Sequence, residues 1–186
     1  CVYAPAAIKE YIQRPNTEDS ARYLTDFSLM MRSFLESSRR RFTPIADEVD
    51  MMKRYVSLEQ LRYPGKFDVV FTIDPDLDPA MDEVPSLLLQ PIIENAIEHG
   101  LRPLNSGGYL RICFELDPDD DDVIICTVSD NGVGRKIAAM LSKSPGHISR
   151  ATAILEERQS LLAFDHALKP VSYTHLRDTD TTLQLV

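Results

Sequence analysis

Two strand-like segments joined by a short acidic turn restrict the fold of this chain more than any other feature. The segments are YLRICFEL, residues 109–116, and VIICTVSD, residues 123–130, and DPDDDD lies between them. Because β-branched and aromatic residues favour strands and the intervening residues favour turns, the pattern predicts a β-hairpin. The acidic turn lacks the Gly and the closing Glu of an EF-hand loop, so we interpret it as a solvated hairpin tip and not as a calcium site.

Further strands are predicted on both sides of the hairpin. KFDVVFTI, residues 66–73, is bounded by turn sequences and is predicted to be a strand. Two short strands are predicted at about residues 171–176 and 182–186, where they would close the sheet.

Apolar residues at helical spacing predict the helices. The predicted ranges are 17–41, 45–63, about 85–100, about 135–142 and about 150–164. The first helix is amphipathic, and its apolar face serves either packing within the chain or contact with a partner helix. That face comprises Ala21, Leu24, Phe27, Met31, Phe34 and Leu35. The second helix follows Pro44, and its apolar side comprises Ile45, Val49, Met52, Tyr55, Val56 and Leu61.

The order of these elements predicts the fold class. The strands are too many for a helix bundle, and the helices are too few for a doubly wound parallel sheet. We therefore expect an α+β fold, a two-layer α/β sandwich with a mixed or antiparallel sheet. A chain of 186 residues with 44% hydrophobic content builds one core, or a small helical module attached to a compact domain.

Charge and cysteine content narrow the classes of partner. The formal net charge of -9 argues against nucleic acid and against anionic membrane surfaces, because both require a cationic face. Cys1, Cys113 and Cys126 have no metal-type spacing, and the two internal residues are interpreted as reduced core thiols. No apolar run approaches the roughly 20 residues of a spanning helix. Because the chain begins with Cys1, we expect it to be part of a longer protein.

The segment PIIENAIEHG, residues 91–100, carries more polar groups than packing requires. Its helical pattern places Glu94, Asn95 and Glu98 on one arc, and a carboxylate beside a carboxamide offers oxygen ligands to Mg²⁺. Taken alone, this pattern also occurs by chance on surface helices.

DNGVG, residues 130–134, directly follows a predicted strand. Gly132 and Gly134 allow positive φ and allow a planar ligand to approach the backbone, and Asp130 can accept hydrogen bonds from an exocyclic amine. The alternative is that the segment is an ordinary turn.

The succession of a helix ending in ENAIEHG, a hairpin and SDNGVG resembles the nucleotide-binding core of the GHKL ATPase superfamily. Within it, VPSLLLQPIIENAIEHGL is similar to the N box of the autolysin-sensor (Lyt-type) sensor histidine kinases, and SDNGVG is similar to their first glycine-rich box. The helices upstream, SARYLTDFSLMMRSFLESS and FTPIADEVDMMKRYVSLEQLRY, also resemble that group. The resemblance implies a Bergerat-type sandwich over residues 42–186, preceded at residues 1–41 by part of a dimerisation and phosphoacceptor module.

The resemblance also implies roles for residues of the N box. Asn95 would coordinate Mg²⁺ bound to ATP, and Glu94 would bind the metal or a water or help to activate the attacking imidazole. His99 and Gly100 would lie near the phosphates. For His99 a second interpretation stays open, because its side chain can instead be satisfied within the fold.

The resemblance implies further roles for residues of the glycine-rich box and of a lid. Asp130 would hold the adenine amine, and Gly132 and Gly134 would shape the adenine wall. Residues 142–150, with Ser149, would form a mobile lid over the phosphates. Ala151 stands where the family often has Gly, and this lid contains no G-x-G, so capture of the phosphates by close backbone approach is in question.

The activity implied is that of a protein-histidine kinase that uses ATP and Mg²⁺ and passes the phosphoryl group to a response regulator. The chain would be the cytoplasmic portion of an inner-membrane-anchored bacterial protein and would form a homodimer through its N-terminal helices. The family places its acceptor histidine in an H-F-x-F-N-like segment. None of the chain's four histidines has that context, so we expect the acceptor upstream. Alternatives are an inactive regulatory module, a clamp-type GHKL ATPase and an anti-sigma-type serine kinase.

Overall fold

A computed structural model describes residues 17–134, 172–174 and 180–185. The helices are α1 (Thr17–Ser37), α2 (Ile45–Arg62) and α3 (Gln90–Asn95), and α3 continues into a π-helical segment, Ala96–Leu101. The strands are β1 (Phe42–Pro44), β2 (Phe67–Ile73), β3 (Glu83–Pro85), β4 (Gly108–Asp117), β5 (Asp120–Asp130), β6 (Ser172–Thr174) and β7 (Asp180–Leu185).

Five of the strands form one mixed sheet in the order β2-β4-β5-β7-β6. β2 and β4 are parallel, with Phe67 opposite Gly108, and the other neighbours are antiparallel. The predicted hairpin is confirmed as β4 and β5, and half of its acidic turn belongs to strand β5, because only residues 118 and 119 lie between the two strands. The α+β class with a mixed sheet is therefore confirmed.

The sheet has one buried face and one exposed face. Leu110, Ile112 and Phe114 of β4 and Cys126 and Val128 of β5 are buried. They belong to the same hydrophobic core as buried residues of α2 and α3, so the helices form the second layer. Tyr109, Arg111 and Glu115 alternate with the buried residues of β4 and are exposed, as expected for a strand with period two.

Helix α1 packs on this core through only part of the predicted apolar face. The structure buries Tyr23, Met30 and Phe34, whereas Leu24 and Leu35 are exposed, with Leu35 62% exposed. Contact with a partner helix stays a prediction for these two leucines, because α1 carries two adjacent apolar stripes and periodicity does not decide which one meets α2. In α2, Leu61 is also exposed, because it lies in the last turn of the helix.

The third helix begins later than the sequence predicts. Pro85 ends β3, Leu87 has a positive φ of 59°, and α-helical structure starts only at Gln90. A residue in the left-handed region cannot continue a right-handed helix, so the prediction of a start at Pro85 was wrong. The prediction also missed β1 and β3, which pair as a small antiparallel ribbon with Thr43 opposite Val84.

Several predicted features lie outside the described residues. They are the helices near 135–142 and 150–164, the lid at 142–150, Ser149, Ala151, and the ends of the terminal strands at 171, 175–176 and 186. The central parts of those two strands are confirmed as β6 and β7. Among the residues that the structure does describe, no helix has the length and apolar character needed to cross a membrane.

The two internal cysteines are free thiols, and only one of them lies in the core. Cys126 is fully buried, and burial raises the pKa of its thiol. Cys113 is half-buried on strand β4, where it alternates with the buried residues, so its prediction as a core thiol was wrong. Burial and the neighbouring Glu115 raise the pKa of the Cys113 thiol.

Candidate functional site

The end of the π-helical segment contacts the loop that follows β5. A β-carbon at Gly132 would lie 2.5 Å from both the Cα and the carbonyl carbon of Gly100, and 2.5 Å from Oδ1 of Asp130. A β-carbon at Gly100 would lie 2.8 Å from the same oxygen. The structure therefore brings Gly100, Asp130 and Gly132 into one junction that has room for backbone but not for side chains.

Hydrogen bonds hold this junction together. Oδ1 of Asp130 accepts a hydrogen bond of 2.7 Å from the N–H of Gly132, and the N–H of Val133 donates to the carbonyl of Gly100 at 3.1 Å. Gly134 has a positive φ of 75°, as predicted for this loop. Gly132 does not have a positive φ, and it is needed instead because of the close approach of Gly100.

Asn131 supports the same loop, a role that was not predicted from the sequence. Its Oδ1 accepts a hydrogen bond from the N–H of Tyr109 at 2.7 Å, and its Nδ2 donates to the carbonyl of Gly107 at 2.9 Å. These bonds tie the end of β5 to the start of β4. The Asn-Gly pair was the available signal, because Asn readily bonds nearby backbone in turns.

The predicted N-box residues lie where α3 changes into the π-helical segment. Asn95 is the last residue of α3, and His99 and Gly100 lie in the π-helical segment, all three half-buried. The N–H of Arg102 donates to the carbonyl of Ile97 at 2.8 Å, the five-residue step of π geometry. Such segments are rare and occur often at functional sites.

Glu94 lies close to helix α2. Its Oε1 accepts a hydrogen bond of 2.8 Å from Nε2 of Gln90, and its charge acts on Tyr55 and Glu59 of α2. Burial is the main cause that raises the pKa of the Glu59 carboxyl, opposed by the Arg62 guanidinium.

Glu98 takes part in the same group of charges. It forms an ion pair with Arg102 one turn along the chain, and its negative charge adds to the raised pKa of Glu59. Burial is again the main cause that raises the pKa of the Tyr55 hydroxyl. This side of α3 is thus packed on α2, whereas Gly100 contacts the loop after β5.

The residues around Asn95 fit a magnesium ion that arrives with a phosphate group. No group of three or more His, Cys, Asp or Glu side chains that could hold a metal is found in residues 17–134 or in the described parts of β6 and β7. Asn95 and Glu94 provide two adjacent oxygen donors, and Mg²⁺ commonly binds one or two protein oxygens and completes its shell with water and phosphate. The donor set is therefore too small for a metal cage and adequate for a metal-nucleotide complex.

Known sequences similar to this chain include proteins named as sensors and a histidine kinase family. A family described as "Histidine kinase" matches residues 6–67. Sensor protein LytS of Bacillus subtilis is 31% identical over 121 residues, which is 65% of this chain and 20% of that protein. Sensor protein LytS of Oceanobacillus iheyensis is 29% identical over 174 residues, which is 90% of this chain and 28% of that protein. The chain thus spans less than a third of the length of either relative.

A solved structure agrees with the fold. The histidine kinase domain of the Erythrobacter litoralis EL346 blue-light activated histidine kinase superposes with a TM-score of 0.51 at 14% identity, covering 91% of this chain and 75% of that one. At this identity the likeness concerns the fold alone. Together these comparisons confirm the resemblance predicted from the sequence, and the chain is a homologue of the LytS-type sensor histidine kinases with the α+β fold of a histidine kinase domain.

Proposed function

We propose that this chain is the cytoplasmic kinase core of a bacterial sensor histidine kinase, and that it binds Mg-ATP beside the junction of the π-helical segment and the loop after β5. The observation that carries the proposal is this junction, in which the backbones of Gly100 and Gly132 are in contact and the Asp130 carboxylate lies beside both. A flat base can approach exposed backbone at such a junction, and an aspartate at its centre can accept a hydrogen bond from an exocyclic amine.

The described residues would hold the nucleotide rather than react with it. Asp130 reads the adenine amine, Gly132 and Gly134 shape the wall beside the ring, and His99 and Gly100 lie beside the phosphates. Asn95, with Glu94, holds the magnesium ion, which neutralises charge on the phosphates when bound. Ser149 and Ala151 would belong to the lid that covers them.

The reaction proposed is phosphoryl transfer to a histidine upstream of this chain. The imidazole nitrogen of that histidine forms a bond to the γ-phosphorus, the bond from this phosphorus to the β–γ bridging oxygen breaks, and ADP leaves. The phosphoryl group then passes to an aspartate of a response regulator. The alternative, an inactive regulatory module with the same fold, predicts no loss of function on changing these residues.

Mg-ATP binding tests the proposal most directly. We expect Asn95→Ala to weaken the affinity at least tenfold in the presence of Mg²⁺, and to match the wild type when Mg²⁺ is chelated, because only the metal contact is removed. Asp130→Asn keeps an oxygen for Gly132 but replaces the other acceptor with a donor. We expect it to weaken ATP binding at least tenfold and to reduce the preference for ATP over GTP.

Isothermal titration calorimetry measures both effects. Asp68→Ala is the matched control, because Asp68 is exposed on strand β2, and it should bind as the wild type does. Unchanged affinity in both site variants would contradict the proposed site, and a wild-type chain that binds no nucleotide would support the inactive-module alternative.

We also propose that the chain forms a homodimer through α1. Leu24, Met31 and Leu35 recur at helical spacing beside the face that packs on α2, and Leu24 and Leu35 stay exposed. Leu35→Glu is expected to weaken self-association at least tenfold in sedimentation equilibrium, since it places a charge on that stripe. Leu29→Glu, also exposed but on another face, is the control. Equal behaviour of the two variants would argue against this interface.

A further inference from the structure

Glu48 of helix α2 is a fully buried carboxylate that binds backbone far away in the sequence. It is 0% exposed, and its Oε2 and Oε1 accept hydrogen bonds from the N–H groups of Leu87 at 3.1 Å and Leu89 at 3.2 Å. Removing a carboxylate from water is unfavourable unless it gains strong hydrogen bonds, so its position requires partners of this kind.

The segment that Glu48 binds needs an acceptor from outside. Leu87, Leu88 and Leu89 are all buried, and buried N–H groups must find partners. Leu87 also has a positive φ of 59°, a strained conformation for a residue with a side chain. Helix caps commonly use Ser, Thr, Asp or Asn, yet Leu89 stands at the start of α3 and makes no side-chain cap bond. Glu48 therefore supplies, from another helix, acceptors that this segment does not provide for itself.

The start of α2 is also hydrogen-bonded to the chain that precedes α3. The N–H groups of Ile45 and Ala46 donate to the carbonyls of Asp82 at 2.9 Å and Pro79 at 2.8 Å. The β1–β3 ribbon and the bond from the N–H of Ser86 to the carbonyl of Arg41, 3.0 Å, extend this contact. The first turn of α2 and the segment before α3 are thus anchored to each other in both directions.

Glu48 holds residues 87–89, and the first turn of α3 is hydrogen-bonded to this segment. The carbonyl of Leu89 accepts hydrogen bonds from Ile92 and Ile93, which form the first turn of α3, and α3 runs without a break into the π-helical segment. The position of Asn95 and of Gly100 therefore depends on how residues 87–89 are held.

We propose that Glu48 is a positioning residue for the candidate site, which sets where α3 begins and thereby aligns Asn95 and Gly100 with Asp130 of the loop after β5. Its effect on ligand affinity rests on the proposed nucleotide site, whereas its effect on α3 does not. Glu48 lies in the first turn of α2, so its hydrogen bonds link α2 to the segment that begins α3.

Glu48→Gln tests this proposal, since the amide keeps the size of the side chain but offers one acceptor oxygen where the carboxylate offers two. Met52→Ala is the matched control, because Met52 is also 0% exposed, lies one turn further along α2, and has no polar group to bind residues 87–89. Both variants are measured in the full chain by urea unfolding, amide hydrogen exchange and Mg-ATP titration.

The two variants are expected to affect amide exchange and Mg-ATP affinity differently. Glu48→Gln should accelerate exchange of the Leu87 and Leu89 amides and of residues 92–101 at least tenfold more than Met52→Ala does, and should weaken Mg-ATP binding at least tenfold. Met52→Ala should lower stability with little change in affinity. If Glu48→Gln does not fold, Glu48→Asp, which keeps the charge on a shorter side chain, is compared with the control in the same way.

Different results would contradict the positioning role of Glu48 and the proposed function. Exchange at residues 87–101 that changes no more in the Glu48 variant than in Met52→Ala would overturn the positioning role. If the wild-type chain binds no Mg-ATP, the proposed function fails, and the exchange measurement alone decides whether Glu48 positions α3.

Discussion

Replacing Gly132 with alanine is expected to destabilise the protein by about 1–3 kcal/mol or more and to abolish measurable Mg-ATP binding. The new β-carbon would lie 2.5 Å from backbone atoms of Gly100, a separation that requires one of the two segments to move. The hydrogen bond from the N–H of Val133 to the carbonyl of Gly100 opposes this movement, and the one from the N–H of Gly132 to Asp130 holds the loop in its present shape. Urea unfolding and calorimetric titration with Mg-ATP measure the two effects.

Gly107→Ala is the control that separates crowding from backbone strain. Gly107 has a φ of +71° but nothing within 4 Å of a β-carbon, so alanine there strains the backbone without a collision. We expect a loss of about 1 kcal/mol and little change in nucleotide affinity. A Gly132→Ala variant as stable as Gly107→Ala, with wild-type affinity, would show that the junction opens freely in solution.

Phe114→Ala is expected to lower the free energy of unfolding by about 3–5 kcal/mol, a large part of the stability of an average domain. Phe114 is 0% exposed on the interior strand β4, where it lies opposite Ile73 of β2 and Cys126 of β5. Removing its ring leaves a cavity between the sheet and the helical layer that these neighbours cannot fill. Chemical denaturation monitored by circular dichroism measures the loss.

Val70→Ala is the control on the other face of the same sheet. Val70 is 54% exposed on strand β2, and its truncation should change stability by less than about 1 kcal/mol. Similar losses for the two variants would mean that the helices do not cover the face of the sheet that carries Phe114.

Local patterns predicted most of the fold. The hairpin, strand β2 and helix α2 were predicted to within three residues of their ends, because alternation and helical spacing are properties of short windows. The pairing of β1 with β3 and the choice of the buried stripe on α1 depend on which surfaces meet. A short window of sequence does not show which surfaces will meet, so these features could not be predicted.

The sequence predicted that two remote segments form one pocket, and the contact of Gly100 with Asp130 and Gly132 is observed. What these residues bind stays a prediction. Glu48 could have been noticed, because it is a charged residue within the apolar stripe of Ile45, Val49 and Met52. The partners of its carboxylate could not, since they are backbone groups 39 and 41 residues away.

The wider turn that follows Asn95 changes which side chains are neighbours along this helix. In an α-helix, residues four apart lie above one another, so Asn95 and His99 would share a face. In the π-helical segment the hydrogen bonds span five residues instead of four, as the bond from the N–H of Arg102 to the carbonyl of Ile97 shows. The wider turn therefore changes the direction of Gly100 relative to Asn95, and deleting one residue between them would be expected to restore a narrower helix and to turn Gly100 away from the loop.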